Sequence, residues 1–215
     1  MSQARGKFIS LEGSEGAGKS TAMTFIKALL AEAGADVIVT REPGGTEIAD
    51  EIRKVLLFPG TEEKMSSMTE LLLMFASRAQ HIENCIEPAL RAGKWVLSDR
   101  YVDASYAYQG GGRGLPINVI EQLDKLVVGS LYPDLTLLLD VPSEVGALRT
   151  ERRPAEKDRI EQEKIEFFMR IRDVYLERAK KDPARIKMID GSQTMGAVQS
   201  QMREVLTPIL SSWKT

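Results

Sequence analysis

The stretch Gly13-Ser14-Glu15-Gly16-Ala17-Gly18-Lys19-Ser20 has the spacing GxxxxGK[ST] of a phosphate-binding loop. Gly13, Gly16 and Gly18 let consecutive backbone N–H groups converge on phosphate oxygens without obstruction by side chains. The helix expected to begin at Ser20 adds the positive end of its dipole. Lys19 brings a point charge to the outer phosphates of a nucleotide, and the Ser20 hydroxyl is placed to ligate a Mg2+ ion carried by it. The phosphate-binding set is therefore Gly13, Ser14, Glu15, Gly16, Ala17, Gly18, Lys19 and Ser20, with Thr21 adjoining. Two chemistries use such a loop: phosphoryl transfer, and a nucleotide-dependent switch without an acceptor.

The loop needs a strand before it and a helix after it. Residues 7–11 are a short apolar run, and residues 20–33 read as a helix that Gly34 interrupts. Further strands are expected at 37–40, 95–98, 135–141 and 186–189. Two of them deliver charged segments at their carboxyl ends, Arg41-Glu42-Pro43-Gly44-Gly45-Thr46 and Asp99-Arg100-Tyr101, where open α/β sheets place ligands. Thr46 should cap a helix burying Ile48, Ile52, Val55 and Leu56. A long helix over 69–92 is expected to bury Leu72, Leu73, Ala76, Ala79, Ile82 and Ile86, with Pro88 as its kink or break. Residues 108–114 are too glycine-rich for a helix interior and read as a loop. A helix follows from Pro116 to near Gly129, and Ser143 should cap the next. Residues 149–164 are so densely charged that the segment should be mobile until a ligand orders it. Helical stripes resume at Phe168, Ile171, Tyr175 and Ala179, and again from Val198 to Trp213. The expectation is α/β: one domain over 1–215, a five-stranded parallel sheet flanked by helices, with a lid at about 149–164.

Composition narrows the setting. A chain of 215 residues, 43% apolar and 28% charged, can bury a substantial core. A net charge of -2 gives no electrostatic reason to expect nucleic-acid or membrane binding. Cys85 is the single cysteine, so no internal disulfide forms and a reducing compartment suits the chain. No segment reads as a signal peptide or a membrane span, and the location expected is cytoplasmic.

Taken together, these segments resemble the thymidylate kinases. The resemblance runs through the phosphate loop with Glu15, the 41–46 segment, Phe75-Ala76-Ser77-Arg78, Asp99-Arg100-Tyr101, Tyr108-Gln109-Gly110 and Asp158-Arg159-Ile160-Glu161. It implies the fold of P-loop nucleoside monophosphate kinases, ATP-dependent conversion of dTMP to dTDP, magnesium, and usually a homodimer.

The resemblance also implies roles. Glu15 faces the acceptor and serves the deoxyribose 3′-OH. Arg78, which has only donors, accepts the C4 carbonyl of thymine and penalises the amine of cytosine; Ser105 and Gln109 are the other base contacts. The base-stacking aromatic of the family corresponds to Met74 here, so either Met74 covers the base or Phe75 is brought over it. Arg53 and Arg100 match the groups at the acceptor phosphate, whereas Arg41 is open to a structural ion pair and Glu42 stays ambiguous. Asp99 resembles the acid that organises magnesium, and Tyr108 the aromatic against C2′. Thymidylate kinases carry their catalytic arginine either in the phosphate loop or in the lid. The loop position is Gly16, whereas the lid has Arg149, Arg152, Arg153 and Arg159, with Arg153 and Arg159 expected to reach the transferred phosphate. His81, the only histidine, has no partner cluster, which argues against a metal or acid/base role, and Cys85 reads as an inert packed thiol.

Overall fold

The computed structural model describes residues 5–58, 60–152 and 158–213. Strands β1 (Phe8–Glu12), β2 (Val37–Arg41), β3 (Trp95–Asp99), β4 (Leu135–Asp140) and β5 (Ile186–Asp190) form a parallel sheet in the order β2-β3-β1-β4-β5. Ile9 sits between Leu97 and Leu135 in register, so β1 is central and the loop that follows it opens at the middle of the sheet edge. Because side chains alternate along a strand, Ile9, Leu11, Leu97 and Leu137 pack on one face with α1 (Lys19–Glu32) and α9 (Met195–Trp213). Phe8 and Val96 pack on the other, against Leu71, Phe75 and Ile120 of α3 (Ser67–His81) and α6 (Ile117–Val127). Each such fully buried side chain contributes roughly 1.5–3 kcal/mol, so the sheet is held from both sides and its strand ends are fixed.

Several local expectations are corrected. In α2 (Glu47–Leu57) the Oγ1 of Thr46 accepts from the Ala49 N–H as a cap should, but Ile48 and Val55 are 58% and 49% exposed while Ala49, Leu56 and Leu57 are buried. On α3 it is Leu71, Phe75 and Arg78 that turn inward; Leu72, Ala76 and Ala79 face out. Along α3 the observed stripe is one residue, about 100°, out of phase with the expected one, whereas Ile82 and Ile86 beyond it are buried as expected. The long helix breaks before Pro88: residues Ile82–Ile86 form a π-helical turn, and Pro88 lies in the first turn of α4 (Glu87–Arg91). Proline lacks an N–H and excludes the carbonyl four residues earlier, and the wider turn absorbs both.

The glycine-rich stretch is no loop. It continues α5 (Val102–Ser105) as a π-helix over Tyr106–Gly112. Its glycines answer to packing: a Cβ at Gly111 would lie 2.8 Å from the Arg170 carbonyl oxygen, and one at Gly112 would lie 2.5 Å from the Phe167 ring, both on α8 (Ile165–Lys181). α7 (Ser143–Glu151) starts at Ser143 without a side-chain cap, since Pro142 holds the cap position. The charged segment is partly docked, because Ile160 is buried in a cluster with Leu56, Leu57 and Phe167. Arg153 lies outside the described residues.

Candidate active site

In a parallel sheet the carboxyl ends of all strands share one edge, and the charged segments after β1, β2 and β3 meet there around a single cleft. Gly16, Gly18, Lys19 and Ser20 line one side of it; Met74, Arg78, Ser105 and Gln109 line the other; Glu15, Arg53, Asp99, Arg100 and Tyr108 lie between. One cleft thus gathers the phosphate loop with the residues expected at a second ligand.

On the loop side, Gly16 has φ 73°, a left-handed conformation, and a Cβ there would lie 2.1 Å from the carbonyl oxygen of Gly146 on α7. Glycine is required on both counts. Lys19 Nζ donates to the carbonyls of Gly13 and Ser14 at 3.0 and 3.1 Å, curled over its own loop. Burial, reinforced by the nearby Arg100 cation, lowers Lys19 to about 8. Asp99 Oδ1 is buried without a hydrogen-bond partner, in the same cleft wall as Lys19 and Ser20. A buried carboxylate oxygen left unpaired is costly, and a hydrated cation on the phosphates of a nucleotide is the chemistry that fits it.

Between the two sides, Glu15 accepts from Arg100 Nη2 and from the Tyr108 hydroxyl, both at 2.7 Å, and the Arg100 guanidinium stacks on the Tyr108 ring at 4.7 Å. Burial pushes the Tyr108 phenol well above its ordinary value, so it stays a donor. Arg100 is the one non-glycine residue with positive φ among those described, at 70°. Glu12 supports this strained turn by accepting from the Tyr101 N–H at 2.7 Å. Sequence reasoning passed over Glu12, whose carboxyl burial pushes up to about 8, with Asp103 adding to the effect. Arg53 donates to the Pro43 carbonyl at 2.9 Å, and Arg41 is drawn to exposed Asp50 at 3.3 Å.

At the Arg78 end of the cleft, Arg78 is 2% exposed. Its Nε donates to Glu42 Oε2 at 2.7 Å, Nη1 to Ser105 Oγ at 3.0 Å and Nη2 to the Tyr101 carbonyl at 3.3 Å. Five N–H groups minus these three bonds leave two donors. Met74 lines the cleft; Phe75 is in the core, with its ring 4.6 Å beneath the Arg78 guanidinium. Gln109 is held by buried Glu70 through a 2.8 Å bond from its Nε2. His81, though without a metal or acid/base cluster in sequence, has close partners: its ring lies between Glu42 and Thr40. The same imidazole draws the half-buried Cys85 thiol below its ordinary value, so that thiol is less inert than its packing implied.

The lid arginines are distributed unequally. Arg149 Nη1 donates to the carbonyls of Gly16 and Gly191 at 3.3 and 3.1 Å. Arg159 donates to the Leu56 carbonyl and to Glu70, and it is absent from the cleft wall. A second cavity lies behind the loop, lined by Ala17, Gly18, Thr21, Arg149, Gly191, Gln193 and Met195. The turn after β5 thus lines a cavity that shares Gly18 with the cleft, a placement that applying the strand-end rule to the fifth strand would have found.

A central phosphate loop on a five-stranded parallel sheet, with Arg78, Ser105 and Gln109 lining the same cleft, defines a P-loop nucleoside monophosphate kinase, a phosphotransferase. A family profile described as thymidylate kinase matches residues 11–202. The chain is 53% identical over 202 residues to the thymidylate kinase of Vesicomyosocius okutanii, covering 94% of this chain and 98% of that one. It is 52% identical over 205 residues to that of Pseudomonas entomophila, with 95% and 97% covered. The crystal structure of thymidylate kinase from Ehrlichia chaffeensis superposes with a TM-score of 0.76 at 32% identity, covering 94% of this chain and 99% of that one. This chain belongs to the thymidylate kinase family.

Proposed function

We infer that the protein transfers the γ-phosphoryl group of ATP to dTMP, giving ADP and dTDP. The observation that carries this is the single cleft in which Lys19 and Ser20 face Arg78, Ser105 and Gln109, with Arg100 and Glu15 between them. The phosphate loop holds the β- and γ-phosphates, and the cavity lined by Arg149, Gly191 and Gln193 takes the adenosine. Ser20 and Asp99 are the residues that would hold Mg2+, which when bound neutralises charge between the outer phosphates. Arg53 and Arg100 attract the acceptor phosphate, and Glu15 and Tyr108 contact the sugar. The spare donors of Arg78 meet the C4 carbonyl of the base, Gln109 and Ser105 complete its edge, and Met74 covers it. Phosphoryl transfer needs alignment and charge neutralisation more than covalent participation by the protein. Segment 149–164 serves as the lid that excludes water.

ADP release measured in a coupled assay with dTMP, dUMP, dCMP, UMP and AMP tests the assignment. Turnover should be greatest with dTMP, and dUMP, which lacks only a methyl group, should fall behind by no more than about 10- to 200-fold. Absence of turnover with dTMP would sink the reading. A switch without an acceptor would instead change conformation with ATP and show no acceptor-stimulated ADP release.

Lys19 gives a pH signature. Phosphate binding requires its charged form and raises its pKa, so ATP affinity is complete below about 8 and is lost as pH rises through that value in the free enzyme. The profile of kcat/KM for ATP should therefore bend downward near 8. A flat profile to pH 9 would show that Lys19 keeps its proton.

Exposed apolar side chains on the adjoining helices α2 and α3, Ile48, Val55 and Leu72 among them, support a homodimer. No helix among the described residues is long and apolar enough to cross a membrane. A cytoplasmic enzyme with one cysteine and one domain fits this reading.

A further inference from the structure

We propose that His81 is a positioning residue for base selection: it occupies one oxygen of Glu42, and so keeps the Arg78 guanidinium turned toward the acceptor base. The proposal rests on the reading of Arg78 as the residue that meets the base.

Arg78 and His81 are three residues apart on α3, hence neighbours on its inner face. Both are buried, and His81 is 0% exposed. Glu42, 5% exposed, divides its carboxylate between them: Oε2 takes Arg78 Nε at 2.7 Å and Oε1 takes His81 Nδ1 at 3.0 Å. The other ring nitrogen, Nε2, lies 2.7 Å from Thr40 Oγ1 on β2. Against the opposing effect of burial, the Cys85 thiol and the Glu42 carboxylate raise His81 to about 9, so both ring nitrogens donate at neutral pH. The ring is also fixed from above, since a Cβ on Gly45 would come within 2.6 Å of it. A continuous chain therefore runs from the sheet through Thr40, His81 and Glu42 to Arg78, and ends at Ser105.

What His81 prevents explains its effect. An arginine beside a free carboxylate prefers a two-bond fork through Nε and one terminal nitrogen. In this site the second oxygen is taken, so Arg78 meets Glu42 through Nε alone and its terminal nitrogens reach Ser105, the Tyr101 carbonyl and the cleft. Release of Oε1 would let the fork close, turn the guanidinium plane and withdraw a donor from the base. The consequence falls on acceptor binding and on the choice between a carbonyl and an amine at C4.

Two substitutions separate this from simple packing. The amide nitrogen of asparagine falls near the position of Nδ1, and that of glutamine near Nε2. His81→Asn keeps the donor to Glu42, whereas His81→Gln keeps the contact to Thr40 and leaves Oε1 without its partner. For His81→Gln the expected result is a KM for dTMP raised about 10- to 100-fold with kcat within about threefold, and a dTMP-to-dCMP preference in kcat/KM contracted by a similar factor. His81→Asn should keep most of that preference. Equal losses of kcat in both variants with the preference unchanged would overturn the proposal and leave His81 a packing residue. If neither variant folds, Thr40→Val decides: a contracted preference supports the chain of contacts, and an unchanged one overturns it. Wild-type protein that fails to phosphorylate dTMP would count against the substrate assignment itself, a result distinct from either.

Discussion

Replacement of Lys19 by methionine should lower kcat by about 10^2- to 10^3-fold, the loss typical of removing one preorganised group from a developing charge, while the thermal midpoint stays level or rises. Lys19 is held in a partly buried position where its pKa is lowered to about 8, which means that the folded protein disfavours its charge. Its two bonds go to carbonyls of its own loop, Gly13 and Ser14. A group kept at the expense of stability, with no distant structural partner, is kept for what it meets during turnover. Methionine fills a similar volume without the charge. Single-turnover kinetics at saturating ATP paired with a melting curve make the check. A large fall in melting temperature with activity largely retained would make Lys19 a structural residue.

The second expected result concerns the lid. Arg153→Ala should reduce kcat by about 10^3-fold, at the lower end of what a charge-neutralising arginine contributes, with the KM for dTMP changed less than about twofold. The structure narrows the candidates by showing where other arginines are bound. Arg149 is tied to the Gly16 and Gly191 carbonyls, and Arg159 to Glu70 and the Leu56 carbonyl. The expectation of Arg153 together with Arg159 is therefore tested first on Arg153, with Arg152→Ala as the matched control. A change confined to KM would remove Arg153 from the transition state.

How far sequence reasoning reached depended on whether a signal was local. Near-continuous apolar runs such as 135–141 announced buried parallel strands, and each strand boundary fell within a residue of its expected place. Helix phase was harder. Leu71, Leu72 and Leu73 are consecutive, so two burial stripes satisfy the same periodicity, and only packing against Phe8 and Val96 selects Leu71 and Phe75. The same ambiguity misplaced Ile48 and Val55, whose apolar face is turned to solvent. The π-helix over Tyr106–Gly112 was read as a loop because glycine commonly marks turns, yet here it lets α8 approach. In the candidate site, the loop lysine and Arg78 were legible from spacing and resemblance. Glu42, Thr40 and His81 were not legible as a unit, because their contacts join residues about forty positions apart with no repeating pattern.

The close seating of Gly16 against Gly146 has a consequence for how such enzymes diverge. Any side chain at position 16 drives into the main chain of α7, whose own glycine leaves no slack, since a Cβ on Gly146 would lie 2.6 Å from the Glu15 carbonyl oxygen. A chain of this kind cannot acquire a loop-borne cation by one substitution. The loop and the neighbouring helix would have to part first, at the expense of a functional intermediate.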